Sequence, residues 1–386
     1  MATQGARGPF PTPFEMDISV LRDADEAGEE AVSQTPQDLM RLIPASIRSK
    51  KLFELQGRQH RGMDVIERAE VTPDFLEKEL SVPRLNYVHD FLWLAGRPMP
   101  PRALNYQVAS SRAITVTEDI NLHLVWESGR IFLKPLPRYL LSSTFWRKYL
   151  LCQDPQGSRR CSCFTNPDPQ LANPVQKTDA QCNKRELYKC AYGFLLSYTA
   201  LVQYESDYLI ARNLNLLPGG VKWRSWCELS RELLEYSPHN TARVNKRYQF
   251  GELRLSRLNK IYRVKGLSLI WSGSRNRGLE HLMRGYKFEF ATYGQQFAGY
   301  LAPILAATAY IALVLTAMQV GLGTDTLRES APFHRASYGF TVFSILTPLI
   351  LVVIAAFVVL LFVPFNYFST KNYFRERMAF YAYLGM

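Results

Sequence analysis

The sequence predicts an α+β fold: a mainly helical cytosolic domain followed by a C-terminal two-helix transmembrane hairpin. Three observations carry that expectation. None of the 46 basic and 34 acidic residues falls within Phe290–Thr324 or Ala336–Thr370, two windows of 35 residues each. Outside those windows about a quarter of the residues are charged, the share of an ordinary soluble protein. That soluble part combines one stretch of alternating apolar residues with several segments of helical period. A wholly disordered chain, a disulfide-stapled secreted module and a many-spanning transporter are thereby excluded.

Residues 1–40 carry eight acidic groups against Arg7 and Arg22 and read as a disordered acidic tail. The tail lacks the apolar stretch of a signal peptide, and its acidity does not suit a mitochondrial transit peptide. Helix starts are expected at Thr35-Pro36 and at Thr72-Pro73-Asp74, where the threonine can cap and the proline fits the first turn. Ile120, Leu122, Leu124 and Trp126 alternate and predict a strand, which turns at Gly129 into a hairpin. A mixed α/β subdomain over residues 41–150 follows from these signals. Residues 151–183, rich in Pro, Gln, Asn and Asp, read as an insert or linker. They hold Cys152, Cys161, Cys163 and Cys182, with a spacing at Cys161 and Cys163 too tight for a usual zinc knuckle, and read as free thiols.

Residues 184–290 form the helical, basic region. The uncharged run from Cys190 to Tyr204 is 15 residues long, short of a span, and predicts the central helix of the soluble core. Ser225 and Glu228 have the spacing of a capping box and predict a further helix start. From Thr241 to Phe290 twelve basic residues face three acidic ones, a net charge of +9. Leu255, Leu258 and Tyr262 share one helical face there, with Arg254, Arg257, Lys260 and Arg263 around the rest. This pattern suits a basic amphipathic helix against anionic lipid, each cation contributing about 1 kcal/mol near the surface. A solvated basic face, or one paired with the acidic tail, fits the same pattern.

Phe297–Val320 and Phe340–Val363 read as transmembrane helices; their 24 residues each span about 36 Å as a helix against a hydrocarbon core of about 30 Å. The connecting loop, residues 324–337, has only Arg328 and Arg335. Arg277, Arg284 and Lys287 precede the first span, and Lys371, Arg375 and Arg377 follow the second, in the tail of residues 369–386. The bias places the loop on the non-cytosolic side and both termini in the cytosol of a two-span protein. Neither span holds an ionisable residue, which disfavours a pump. Small residues on one face, Ala302, Ala306 and Ala309 in the first span and Ser344, Pro348 and Ala355 in the second, are expected to pack the spans together.

No phosphate loop, nucleophile elbow, dinucleotide fingerprint or paired-histidine metal motif occurs. No catalytic, cofactor-binding or metal-ligating residue is therefore assigned, and no cofactor and no nucleic-acid partner is expected. His89-Asp90 and the His123/Glu127 pair are the adjacent acid and base groups, and structural roles suit them better. Gly129–Leu141 (GRIFLKPLPRYLL), Cys190–Ala211, Phe250–Arg263 (FGELRLSRLNKIYR), Thr316–Leu322 and Ala336–Ser344 together resemble a fungal family of uncharacterised membrane proteins, domain of unknown function 6601. The resemblance covers roughly residues 80–370 and implies a fungal origin and two C-terminal spans, with no activity to transfer. The function expected is a non-enzymatic, membrane-anchored interaction or scaffold protein, whose partners are the bilayer, its anionic lipids, and a protein partner or second copy. An accessory of an oligomeric channel or transport assembly is the alternative. A lipid-acting hydrolase is a third, and requires a Ser or Cys beside a His.

Overall fold

The computed structural model describes residues 12–15, 42–55, 58–59, 62–152, 182–235, 243–274, 278, 281–282, 285–287 and 293–385. Two compact units divide the chain: Arg68–Phe288 with the residues up to Ile47, and Arg48–Glu67 with Glu289–Met386. The expected helix start at Thr35-Pro36 and the cysteines Cys161 and Cys163 lie outside the described residues.

The N-terminal arm of the second unit holds four short strands, β1 (Ser46–Lys51), β2 (Glu54–Leu55), β3 (Arg58–Gln59) and β4 (Met63–Arg68). β1 pairs with β4, and β2 with β3.

The first unit opens with four short helices, α1 (Pro73–Leu80), α2 (Pro83–Tyr87), α3 (Leu92–Ala95) and α4 (Leu104–Ala109). At α1 the sequence signal is fulfilled: the Thr72 hydroxyl accepts from the Phe75 amide at 3.2 Å, Pro73 opens the first turn, and Phe75, Leu76 and Leu80 are buried. A four-stranded sheet follows, with β5 (Ala113–Val116), β6 (Val125–Glu127), β7 (Arg130–Leu133) and β8 (Leu253–Arg254) in the order β5-β7-β6-β8. β6 and β7 form the expected antiparallel hairpin, and Gly129 supplies its left-handed turn at φ +74°. β5 runs parallel to β7, and β8 parallel to β6 through Val125↔Leu253 and Trp126↔Arg254.

The strand expected over Ile120–Trp126 is only half present. Asp119 accepts from the Asn121 amide at 3.0 Å and starts a 3-10 turn at Ile120–Leu122. Leu124 then takes φ +62°, costing roughly 1–2 kcal/mol for a residue with a Cβ. Both backbone groups of Leu124 are nonetheless used, its amide by Phe132 O at 2.9 Å and its carbonyl by the Leu253 amide at 2.9 Å. This local cost is offset by tertiary pairing, which an alternating pattern does not report.

Helix α5 (Ser143–Phe145) continues into a π turn at Trp146–Leu150. The longest helix of the unit is α6 (Asn183–Leu201), buried on nearly every side from Leu187 to Leu201. Its apolar residues therefore show no stripe, as expected of a helix enclosed by its own domain. α7 (Glu205–Asn213), α8 (Trp223–Glu235) and α9 (Leu255–Trp271) complete the unit. Helix α8 begins at Trp223, so Ser225 lies within its first turn and the expected capping box is absent; Glu228 pairs instead with Arg224 at 3.2 Å. One piece of the acidic tail is ordered into the core: Phe14 is buried edge-on against Trp146, with ring centroids 6.1 Å apart. An acidic composition averaged over forty residues hides an apolar anchor.

The second unit contains α10 (Tyr293–Leu322), the turn α11 (Asp325–Arg328) and α12 (Ala331–Tyr383). Two of these, α10 and α12, have apolar stretches long enough to cross a membrane. Helix α12 starts at Ala331, inside the segment expected as a loop, and its 53 residues make a rod of about 80 Å. Its far end packs on the arm, where the Phe53 ring lies 5.2 Å from Phe380 and 5.7 Å from Tyr383, and Arg377 donates to Asp64 O at 2.8 Å.

Candidate functional site

Two features of the first unit have the chemistry of a site, a buried Ser-His pair and an exposed aromatic and basic surface. The pair joins Ser197 on α6 to His123 at the bend before β6. Their side chains meet at 2.9 Å, Nε2 to Oγ, although 74 residues separate them. A hydrolase would need this histidine as a base. The imidazole Nδ1, however, accepts the Lys134 amide at 3.2 Å, which fixes the proton on Nε2 and makes the ring a donor to Ser197. The Ser197 hydroxyl in turn donates to Phe194 O at 2.6 Å. Both protons point the wrong way for nucleophile activation.

The surroundings hold that arrangement in place. His123 is enclosed by Phe194, edge-on at 4.6 Å, and by Tyr198, stacked at 5.8 Å. Burial pushes its pKa well below 6.5, and the charges of Arg247 and Lys134 push it further down. The Lys134 ammonium is itself buried and binds Glu79 at 2.7 Å and the backbone and carboxylate of Glu118 at 2.7 and 3.3 Å. Arg247 donates to the carbonyls of Phe250 and His123, the latter at 3.2 Å. This is a polar keystone that ties β7, α6 and the turn before β8 together.

Its titration gives a prediction. An unfolded chain protonates His123 near pH 6.5, while the folded one keeps it neutral to well below that value. The unfolded state thus binds more protons under pH 6.5. This contribution to stability is whole above pH 6.5 and is lost as the pH falls toward the folded pKa, by up to about 1.4 kcal/mol per pH unit. Urea unfolding on either side of pH 6.5 is expected to show the slope, and His123→Gln to flatten it; an unchanged slope in the variant would assign the proton uptake to another group.

The exposed surface is built on α9. Leu255, Leu258, Tyr262 and Gly266 face the core, and Asn259 Oδ1 accepts from the amides of Tyr286 and Lys287 at 2.8 and 3.1 Å. Arg84 donates to Tyr286 O and lies 4.9 Å over its ring, and Lys287 pairs with Asp119. Burial tends to raise the Asp119 pKa, but the Lys287 ammonium and Asn121 outweigh it and hold the carboxylate below its usual range. Residues 285–287, six positions before α10 begins, are therefore anchored.

On the opposite side of α9, Arg257, Lys260, Val264, Leu267 and Trp271 recur at helical spacing and are all exposed. Trp271 is 90% exposed and Val264 66%. Arg257 donates to Leu94 O at 3.1 Å, bringing in exposed Trp93 and Leu94 from α3. Lys265 lies 4.8 Å over Tyr87 and 5.0 Å over Phe91. Of the four cations expected to meet lipid, Arg257 and Lys260 lie on this stripe and Arg263 is half-buried at its flank. Arg254 is exposed at the head of the helix, 5.2 Å over Trp126, a ring that Arg112 also approaches at 4.4 Å. Glu252 anchors Arg112 at 2.7 Å. The clustering of Tyr87, Phe91, Trp93 and Leu94 beside the stripe has no counterpart in the sequence pattern of α9 and was not expected.

In the second unit the less exposed face of α10 runs through Ile311, Val314, Leu315 and Met318, and that of α12 through Ser337, Phe340, Ser344 and Pro348. Ala306 and Ala309 are exposed, while the side chains of Ala302 and Ala355 lie outside the described residues.

A family model, Family of unknown function (DUF6601), matches residues 72–348. No curated protein and no solved structure matches the chain. The matched residues contain the four-stranded sheet, the His123 network, the α9 stripe, all of α10 and the start of α12. With well over half of its length matched, the chain belongs to the family of unknown function DUF6601.

Proposed function

We propose that this protein is a non-enzymatic, membrane-anchored interaction protein whose α9 surface lies on anionic lipid headgroups. The observation that carries the reading is the α9 stripe, in which two cations and three large apolar side chains share one exposed helix face ending in Trp271. Water is a poor solvent for such a face. A lipid interface suits it, because tryptophan and tyrosine settle at headgroup level while Lys and Arg pair with phosphate. Arg254, Arg257, Lys260 and Arg263 would each contribute about 1 kcal/mol at an anionic surface, less where a side chain is half-buried.

The two apolar helices supply the anchor, and the arm of residues 48–67 supports a hairpin topology. That arm precedes α10 in the chain, no helix among the described residues between them is long and apolar enough to cross a membrane, and it packs against Phe380 and Tyr383 beyond the apolar stretch of α12. This packing supports placing both outer ends on one side of the bilayer, and the basic bias favours the cytosol for that side.

All six tryptophans fall between Trp93 and Trp271, so none belongs to the apolar helices. Intrinsic fluorescence of the full-length protein in nanodiscs thus reads the first unit alone. With lipids brominated in the upper acyl chain, discs containing phosphatidylserine are expected to quench the emission, and neutral discs to quench it much less. Trp271→Phe should remove most of that quenching. Reversing Arg254, Arg257 and Lys260 to Glu, or raising the salt, should restore the emission. Equal emission with and without bromine in anionic discs would sink the proposal.

A further inference from the structure

The Sγ atoms of Cys152 and Cys182 lie 3.2 Å apart, at the two ends of residues 153–181. Cys152 follows the π turn at Trp146–Leu150, and Cys182 is the residue that leads into α6. The elements on either side are already fixed to each other, since Trp146 meets Tyr188 edge-on at 5.4 Å. Both thiols are half-buried, so a small oxidant can reach them. A disulfide needs a sulfur separation of about 2.05 Å, so closure requires a movement of roughly one ångström, within the reach of side-chain rotation.

We propose that Cys152 and Cys182 form a reversible, peroxide-responsive disulfide, a modification site independent of the lipid-facing surface. One thiolate attacks hydrogen peroxide, breaking the O–O bond and becoming a sulfenic acid while hydroxide leaves. The second thiol then attacks that sulfur, forming the S–S bond, and the sulfenic oxygen leaves as water. In sum two thiols and one peroxide give one disulfide and two waters, the sulfurs being oxidised and the peroxide reduced. The bond joins the end of the π turn covalently to the start of the central helix. It also closes a ring of chain in the unfolded state, which raises the stability of the folded one.

Cys190 provides an internal contrast. It is buried on α6, and burial raises its thiol pKa to about 12, so it has little thiolate to offer. Reduced full-length protein would be treated with hydrogen peroxide, blocked with N-ethylmaleimide, digested and mapped by mass spectrometry. The expected product is a cross-linked peptide pair containing Cys152 and Cys182, lost on treatment with a phosphine reductant, with Cys190 unmodified. Oxidation should also raise Tm by several degrees, a shift absent in Cys182→Ser. The mapping uses the unaltered chain, so the folding of the variant does not decide it. Cys152 and Cys182 both recovered as maleimide adducts after peroxide, or each joined to other cysteines, would overturn the proposal.

Discussion

Replacing Arg247 by Ala is expected to destabilise the first unit by about 4 kcal/mol, a large share of the roughly 5–15 kcal/mol that holds a domain folded. Arg247 is among the largest fully buried side chains in the protein. Burial brings its pKa down to about 10, which leaves it cationic at neutral pH. Its guanidinium is held by carbonyl oxygens, of Phe250, Gly251 and His123, so that truncation removes a charged donor from three buried acceptors at once. The acceptors belong to the turn before β8 and to the bend before β6, the two segments that the parallel pair β6 and β8 must bring together. Arg247→Lys should recover part of the loss, since an ammonium keeps the charge but not the planar fork. Urea unfolding of the full-length protein in nanodiscs, followed by tryptophan emission, reads this unit. A loss of less than about 1 kcal/mol in Arg247→Ala would show that water or rearranged backbone replaces the guanidinium.

Gly193→Ala should also destabilise, against the preference of the helix it sits in. Alanine favours a helix interior over glycine by about 0.5–1 kcal/mol. At this position, however, an added Cβ would stand 2.3 Å from Cδ2 of the Tyr248 ring and 2.7 Å from its Cγ. The ring is half-buried, packs against the core beside α6 and has its hydroxyl enclosed, so moving it aside disrupts that packing. Overpacking of this kind costs about 1–3 kcal/mol, which exceeds the propensity gain. The sign should reverse once the ring is gone: in a Tyr248→Ala background, Gly193→Ala should be neutral or stabilising. A penalty that persists there would place the conflict with another neighbour.

These two positions also show where a sequence stops informing. Arg247 is one of twelve basic residues between Thr241 and Phe290, and nothing in the sequence pattern sets it apart from the others. One of them is at the centre of the unit, and Arg254 lies over Trp126 on a neighbouring strand. Charge along a chain reports composition, while burial depends on residues far away in sequence. The Ser197–His123 contact was equally illegible, since its 74-residue separation leaves no spacing to recognise. Its chemistry was set by a third party, the Lys134 amide, which selects the tautomer. A Ser-His pair in reach is therefore insufficient evidence for a nucleophile; the direction of the two protons decides.

By itself the sequence determined whatever depends on neighbours within a few positions or on composition over a window. The Thr72 cap, the turn at Gly129, the presence of a central helix at α6 and the two apolar helices are of this kind, because hydrogen bonds to the next turn, a positive φ and the thickness of a bilayer are local or additive demands. The tertiary structure alone decided the register of β8 against β6, the left-handed Leu124 that breaks the expected strand, the docking of Phe14, and the assembly of α3 and α9 aromatics into one exposed surface. Each of these follows from packing between segments tens to more than a hundred residues apart, where the free energy comes from shared burial and leaves no periodic mark on either segment.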